Sequence, residues 1–158
     1  MKKLGLTFLF FSIFFLAFTQ DNLDRNTIVG KWTAVGFSAN GIMYNIETDS
    51  LYIMPETYDE FKSNDEDTAG LKKYFRKEMR SILPFNFNFK KNGNCTFENK
   101  DIFERATYAV DEEKKILTIF NATSGKFMNL EAYMKDNNLY VSNGNANSLA
   151  FIILKKVK

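Results

Sequence analysis

The chain has 158 residues, with one cysteine and no histidine. A single cysteine excludes an internal disulfide, and the lack of histidine excludes a Ser-His-Asp triad, a Cys-His pair and a histidine-ligated zinc site. The 21 basic and 19 acidic side chains nearly balance, which argues against a nucleic-acid partner. The carboxylates show no spacing typical of a glycosidase pair or a calcium loop. We therefore expect no enzyme, no metal and no cofactor.

The first nineteen residues have the pattern of a secretory signal peptide. Lys2 and Lys3 form a short basic segment, residues 4–18 are almost entirely apolar, and small side chains precede a cleavage point before Gln20. The alternative is a retained membrane anchor, but a membrane span typically needs ~20 apolar residues. We predict export to the periplasm or the exterior, with residues 20–158 forming one domain. Without the two leading lysines, 19 basic side chains balance 19 acidic ones.

Short strands and helices are expected between the leader and residue 84. Residues 31–37 read as a first strand, and residues 42–46 with 51–54 read as a hairpin. Residues 55–61 form a short extra turn of helix. We expect these elements to precede a longer helix.

The longer helix is predicted from a capping box, with Ser63 as N-cap and Glu66 three residues later. Gly70 weakens its first half, so the helix effectively begins near residue 71, and Pro84 ends it. Its basic face either contacts anionic lipid at a membrane surface or is simply solvated. The basic residues are Lys72, Lys73, Arg76, Lys77 and Arg80.

The second half of the chain reads as a meander of seven short strands after residue 84. Apolar residues alternate at 85, 87 and 89, and Asn92-Gly93 is a strong hairpin signal. Turn residues recur every 8–12 residues or so. Closure of such a meander into a barrel removes its exposed edges. Residues 116–120 and 150–154 are apolar on both faces, so a helix or another subunit is expected to cover them.

A Gly-x-Trp motif stands at the first strand, in Ile28-Val29-Gly30-Lys31-Trp32, and the meander follows it. The chain thereby resembles the lipocalin superfamily, in particular small lipocalin-like proteins of bacteria. The resemblance implies an all-β fold: an antiparallel up-and-down β-barrel of about eight strands, with a helical insert between the first strands and the main meander. It also implies that Trp32 plugs the closed end, that Gly30 allows close backbone approach, and that Lys155 or Lys156 packs across the indole.

The candidate site is the barrel interior, which is either a packed core or an apolar pocket. Arg105 either anchors a ligand carboxylate or phosphate or is an outward, solvated residue paired with acidic neighbours. A hydroxyl from Tyr108 or Tyr133 is a second way to meet a polar head group. Cys95 is expected to be a small buried hydrophobe. The alternating residues placed inside are Phe87, Phe89, Tyr108, Val110, Leu117, Ile119, Leu130 and Met134.

Two functions follow from these expectations. The first is binding of a small apolar or amphipathic molecule inside the barrel, with Arg105 or a tyrosine at its polar end. The second is a barrel with a filled interior that acts as a protein-interaction or structural module of the cell envelope. An enclosed apolar void of several hundred Å³ favours the first, on the order of the ~300–1,000 Å³ typical of ligand pockets.

Overall fold

The computed structural model describes residues 23–61, 67–143 and 150–157. The expected signal peptide and the Ser63–Glu66 capping box lie outside these residues. Among the described helices, none has the length and apolar character needed to cross a membrane. In chain order the elements are α1 Arg25–Ile28, β1 Gly30–Ala39, β2 Ile42–Asn45, β3 Ser50–Ile53, α2 Pro55–Phe61, α3 Thr68–Ile82, β4 Asn86–Phe89, β5 Asn94–Asn99, β6 Ile102–Asp111, β7 Ile116–Asn121, β8 Lys126–Lys135, β9 Asn138–Ser142 and β10 Phe151–Lys156.

Eight strands close into an antiparallel barrel. Strands β4 to β10 pair with one another in chain order, β10 pairs with β1, and β1 pairs with β4. This order is an up-and-down barrel, in which tight turns join neighbouring strands. The predicted fold class is confirmed, including the helical insert, which lies between β3 and β4.

Strand β1 is long because it serves both the barrel and the hairpin. Its first half, Gly30–Thr33, pairs with β4, and its second half, Gly36–Ala39, pairs with β2. Along its other edge it pairs with β10, with a bulge between Ala34 and Gly36. A Cβ on Gly36 would lie 2.9 Å from Ile153 Cδ1, so glycine is required where these strands approach. The β2–β3 hairpin therefore continues the sheet beyond the barrel wall.

Helix α3 packs on the β2–β3 hairpin. Leu71 and Phe75 are buried against Ile42 and Ile53. The helix begins at Thr68, earlier than the expected start near residue 71, because the side chain of Asp67 accepts a hydrogen bond from Gly70 N at 2.6 Å and caps it. It ends at Ile82, which confirms the predicted stop before Pro84.

Strands β7 and β10 are apolar on both faces, and ring contacts show what packs against their outer faces. Their outer side chains pack against neighbouring strands of the same sheet. Phe120 stacks on Phe127 at 4.4 Å between ring centroids, and Phe151 lies 6.4 Å from Tyr140. The expected covering helix buries its apolar side on the hairpin instead.

A polar cluster around Asp49 ties α3 to the hairpin. Tyr44 OH donates to Asp49 Oδ1 at 2.9 Å, and Arg80 Nη2 lies 3.0 Å from the same oxygen. Arg80 Nε in turn donates to Tyr44 OH at 3.2 Å. The hydrogen bond from Tyr44 and the charge of Arg80 lower the pKa of Asp49. Arg76 lies 3.7 Å from this carboxylate, so two of the five basic residues of the helix face the hairpin.

We expect Asp49 to make the protein sensitive to acid. Its pKa is lower in the folded than in the unfolded chain, so its stabilising effect is complete above about pH 4 and is lost as the pH falls through the folded-state value. Urea unfolding at neutral and acidic pH should therefore show a smaller acid-induced drop in midpoint for Asp49→Asn than for the wild type. Asp101→Asn, in an exposed turn, is the control and should keep the wild-type drop; an equal drop in all three proteins would contradict the expectation.

The closed end of the barrel is built around Trp32, which is fully buried. Its Nε1 donates to Ile28 O at 2.7 Å, which fixes α1 across the barrel floor. Lys156 Nζ lies 5.2 Å from the indole ring and donates to Thr27 O at 2.9 Å. A Cβ on Gly30, whose φ is +134°, would lie 2.9 Å from Lys156 Cε. The implied packing of a lysine across the tryptophan is confirmed, and the residue is Lys156.

Replacing Lys156 by methionine should destabilise the barrel by about 1 kcal/mol, because the cation–π contact and the bond to the α1 carbonyl are lost while the apolar stem is retained. Lys155→Met is the matched control, since Lys155 makes a surface ion pair with Glu47, and such pairs contribute little. The free energy of unfolding from denaturant titration measures both. Equal losses in the two variants would show that the contact with Trp32 adds nothing.

Candidate functional site

The half of the barrel next to Trp32 is filled by large side chains. Phe89, Leu117 and Met134 are each at least 96% buried. The ring of Phe89 meets Tyr108 edge-on at 5.0 Å, and Tyr108 OH donates to Lys90 O at 2.8 Å. Burial raises the pKa of Tyr108. This half is a packed core.

The interior opens into an apolar pocket of about 330 Å³ in the other half. We call it the interior pocket. Most of its surface is carbon, with two polar side chains at the mouth. Its walls are formed by Phe85, Phe87, Cys95, Phe97, Glu104, Ala106, Ile119, Asn121, Met128 and Ile152.

Strand alternation brings these residues to one face. On β6 the buried Tyr108 faces inward, so Ala106 and Glu104 follow at steps of two toward the mouth. On β7 the buried Ile119 faces inward, and Asn121 is the next inward position. Since Ala106 is small, it leaves space where longer side chains fill the closed half.

Three phenylalanines form a wall of the interior pocket. The ring of Phe85 lies 5.7 Å from Phe87 and 5.4 Å from Phe97, and Phe87 lies 5.3 Å from Phe97. Their tilted and edge-on arrangement is the one that aromatic side chains prefer. Phe87 also stacks on Phe89 at 5.7 Å, which ties this wall to the packed core.

Cys95 lies in the same wall, opposite Ala106 in the β5–β6 ladder. The side chain is buried, and burial raises the pKa of its thiol to about 11. A thiol of this kind is largely protonated at neutral pH and is a poor nucleophile. The expectation that Cys95 is a small buried hydrophobe is confirmed. Its side chain forms part of the pocket wall.

The mouth carries a fixed polar pair. Asn121 Oδ1 accepts hydrogen bonds from Thr123 N at 2.9 Å and Ser124 N at 3.1 Å in the β7–β8 turn. This orients the amide, so that Asn121 Nδ2 donates to Glu104 Oε2 at 2.7 Å. The pair bridges β6 and β7 at the edge of the interior pocket.

The predicted interior residues divide between pocket and core. Phe87 and Ile119 line the interior pocket. Val110 and Leu130 are half-buried and pack against the core cluster. The others belong to that buried cluster: Phe89, Tyr108, Leu117 and Met134.

None of the three candidate head-group residues lines the interior pocket, and for Arg105 the outward alternative is the one observed. Arg105 is exposed, and its guanidinium lies 5.7 Å from the ring of Phe103, on the outer face of β6. Tyr133 stacks on Tyr140 at 4.9 Å, also outside. The hydroxyl of Tyr108 is inside but is bonded to the chain near the closed end. The physical reason is alternation, since odd-numbered positions of β6 point away from the interior.

The polar residues of the mouth were not predicted from the sequence. Once Tyr108 and Ile119 are placed inside, counting back by two gives Ala106 and Glu104, and counting forward by two gives Asn121. The same alternation that places the apolar side chains inside therefore also indicates these polar ones. Cys95 and Phe97 follow from the Asn92-Gly93 turn in the same way, since the turn sets the register of β4 against β5.

The described part of the chain holds no group of three or more His, Cys, Asp or Glu side chains able to bind a metal ion. Two further concavities lie on the outer surface. One, of about 290 Å³, runs between the β2–β3 hairpin and β10. The other, of about 510 Å³, has a mixed polar lining over β4 and β5. The interior pocket is the more apolar site.

The comparisons with known proteins give a similarity in structure but no match to a family model or a curated sequence. No family model matches the chain, and no curated protein matches it. A crystal structure of a DUF4847 family protein from Bacteroides vulgatus is similar to it, with a TM-score of 0.48 and 15% sequence identity over 82% of this chain and 93% of that one. The functional argument therefore rests on the geometry of this chain's own site.

Cys95 is the sole cysteine, so its alkylation can be followed by the mass of the intact protein. A pKa near 11 rather than 9.0 leaves about one hundredth as much thiolate at a pH below both values. We expect iodoacetamide to modify the native protein at least about 100-fold more slowly than the protein in guanidinium chloride.

A Thr107→Cys substitution in a Cys95→Ala background provides the control, because residue 107 is exposed on the outer face of β6. That thiol should react rapidly in the native protein. Fast native modification of Cys95 would contradict its burial in the pocket wall.

Proposed function

We propose that the protein is a lipocalin-like binding protein that holds a small hydrophobic or amphipathic molecule in the interior pocket. One observation carries the proposal: the interior of an eight-stranded barrel is packed next to Trp32 and leaves an apolar pocket toward the other end. The remaining space, about 330 Å³, falls within the ~300–1,000 Å³ typical of ligand pockets.

The physical drive is removal of apolar surface from water. Burial of an apolar ligand against the pocket walls contributes roughly 25 cal/mol per Å² of apolar surface removed from water. The three-phenylalanine wall is braced against the packed core, so the site is largely preformed and little ordering cost is incurred on binding. The thiol of Cys95 in the pocket wall is held protonated by burial, so it is a poor nucleophile toward a bound ligand.

Support for the lipocalin-like assignment comes from the closed end. The Gly-x-Trp motif opens β1, Trp32 is buried, and Lys156 covers the indole. These features agree with what the sequence resemblance implies. Export is supported by the amino-terminal pattern of residues 1–19 alone.

A protein-interaction module is the second candidate function. The observation that favours it is an aromatic stripe on the outer face of β8, β9 and β10, where Tyr133 stacks on Tyr140 and Phe151 follows. The stripe continues to Met43 and Tyr52 of the hairpin, which are 38% and 55% exposed. If the barrel binds no ligand inside, this exposed aromatic face is the surface expected to contact a partner protein.

Ala106→Phe should weaken binding of a neutral apolar probe, N-phenyl-1-naphthylamine, by about tenfold or more, because the new ring occupies pocket volume. Ala109→Phe is the matched control, since residue 109 is exposed on the outer face of the same strand. Probe fluorescence measures affinity, and thermal unfolding confirms that both variants fold.

Equal binding by the wild type and both variants would place the probe outside the barrel. An absence of binding by the folded wild type would remove the interior-binding function and favour the interaction module.

A further inference from the structure

We propose that the interior pocket selects amphiphiles with a protonated amine head group and rejects those with a carboxylate. This inference rests on the proposed function and adds the chemical class of the ligand. It follows from the Glu104–Asn121 pair and from the residues that surround it.

The described residues that line the pocket include one carboxylate and no cation. Glu104 is the only acid among these described residues, and neither lysine nor arginine is among them. Arg105, the cation nearest in sequence, is directed to the outer face. A carboxylate ligand would therefore meet a like charge at the mouth, whereas an ammonium would meet an opposite one.

The neighbouring amide leaves Glu104 as the acceptor for a ligand. Asn121 Oδ1 already accepts two backbone N–H groups, so its carbonyl is directed into the β7–β8 turn. Its Nδ2 binds Glu104 Oε2. Within the described residues, Glu104 Oε1 receives no hydrogen bond, and it can accept one from a ligand N–H.

An aromatic ring stands beside this position. Phe97 is directly opposite Glu104 in the β5–β6 ladder and lines the same pocket. Directly opposite side chains have their Cβ atoms about 5 Å apart, and the face of an aromatic ring attracts a cation. A carboxylate and an aromatic side chain on adjacent strands together favour an ammonium group, with the apolar part of the ligand against Phe85 and Ile152.

The opposite hypothesis is that the mouth binds a ligand carboxylate, and the cation nearest to it for that role is Lys126. It is opposite Asn121 in the β7–β8 ladder and therefore on the same, inward-facing side of the sheet, but it is exposed at the rim and is not part of the pocket lining. A fatty acid held at the mouth would depend on this lysine. The two readings therefore predict opposite effects of removing either charge.

The test compares three ligands with one octyl chain: octylammonium, octanol and octanoate. Isothermal titration at neutral pH should show octylammonium binding at least about tenfold more tightly than octanoate, with octanol between them, which is the scale of a charge-assisted hydrogen bond. Glu104→Gln should reduce the advantage of octylammonium over octanol to about twofold or less. Lys126→Gln should preserve the order of the three ligands.

The outcomes distinguish failure of the interior-binding function from failure of the proposed preference for an ammonium head group. If none of the three ligands binds the wild type, and Ala106→Phe changes nothing, the proposed interior-binding function itself fails. If all three bind equally, or if octanoate binds best and requires Lys126, the head-group inference is overturned while the function stands. Loss of all three by Ala106→Phe confirms that binding is inside the barrel rather than at the Glu104 surface.

Discussion

The pairing of β1 with β10 is the constraint on which the rest of the structure depends. It joins the first strand to the last, closes the sheet and so creates an inside and an outside. Trp32 and Lys156 are partners in this ladder, so the contact that seals the floor lies at the seam itself. Without closure, the alternating side chains of β4 to β10 would form one apolar face of an open sheet with two exposed edges.

Closure creates an interior that side chains must fill, and the two ends of the barrel are filled to different extents. Large side chains fill the half next to Trp32, whereas Ala106 and Cys95 face each other in the upper half and leave the interior pocket. The three-phenylalanine wall spans the boundary between them. The residues that stabilise the barrel and the residues that line the pocket thus lie in different layers. Substitutions in the pocket can therefore leave the packing around Trp32 unchanged.

The helical insert between β3 and β4 packs against the hairpin and supports it. The long β1 carries the β2–β3 hairpin beyond the barrel, and α3 covers the inner face of that hairpin through Leu71 and Phe75. Asp49 then joins helix and hairpin through Tyr44 and Arg80. Because this cluster is exposed, its contribution depends on pH and salt more than the apolar contacts do.

The sequence by itself determined the number of late strands, the hairpin at Asn92-Gly93, the helix stop before Pro84 and the burial of Trp32, because period-two alternation, turn residues and proline act locally. It also placed Phe87 and Ile119 inside. Only the tertiary structure decided that Glu104 and Asn121 bond to each other at the mouth and that space remains beside Ala106. These depend on the register and curvature of strands distant in sequence, which determine where the small Ala106 leaves a gap that no local pattern records.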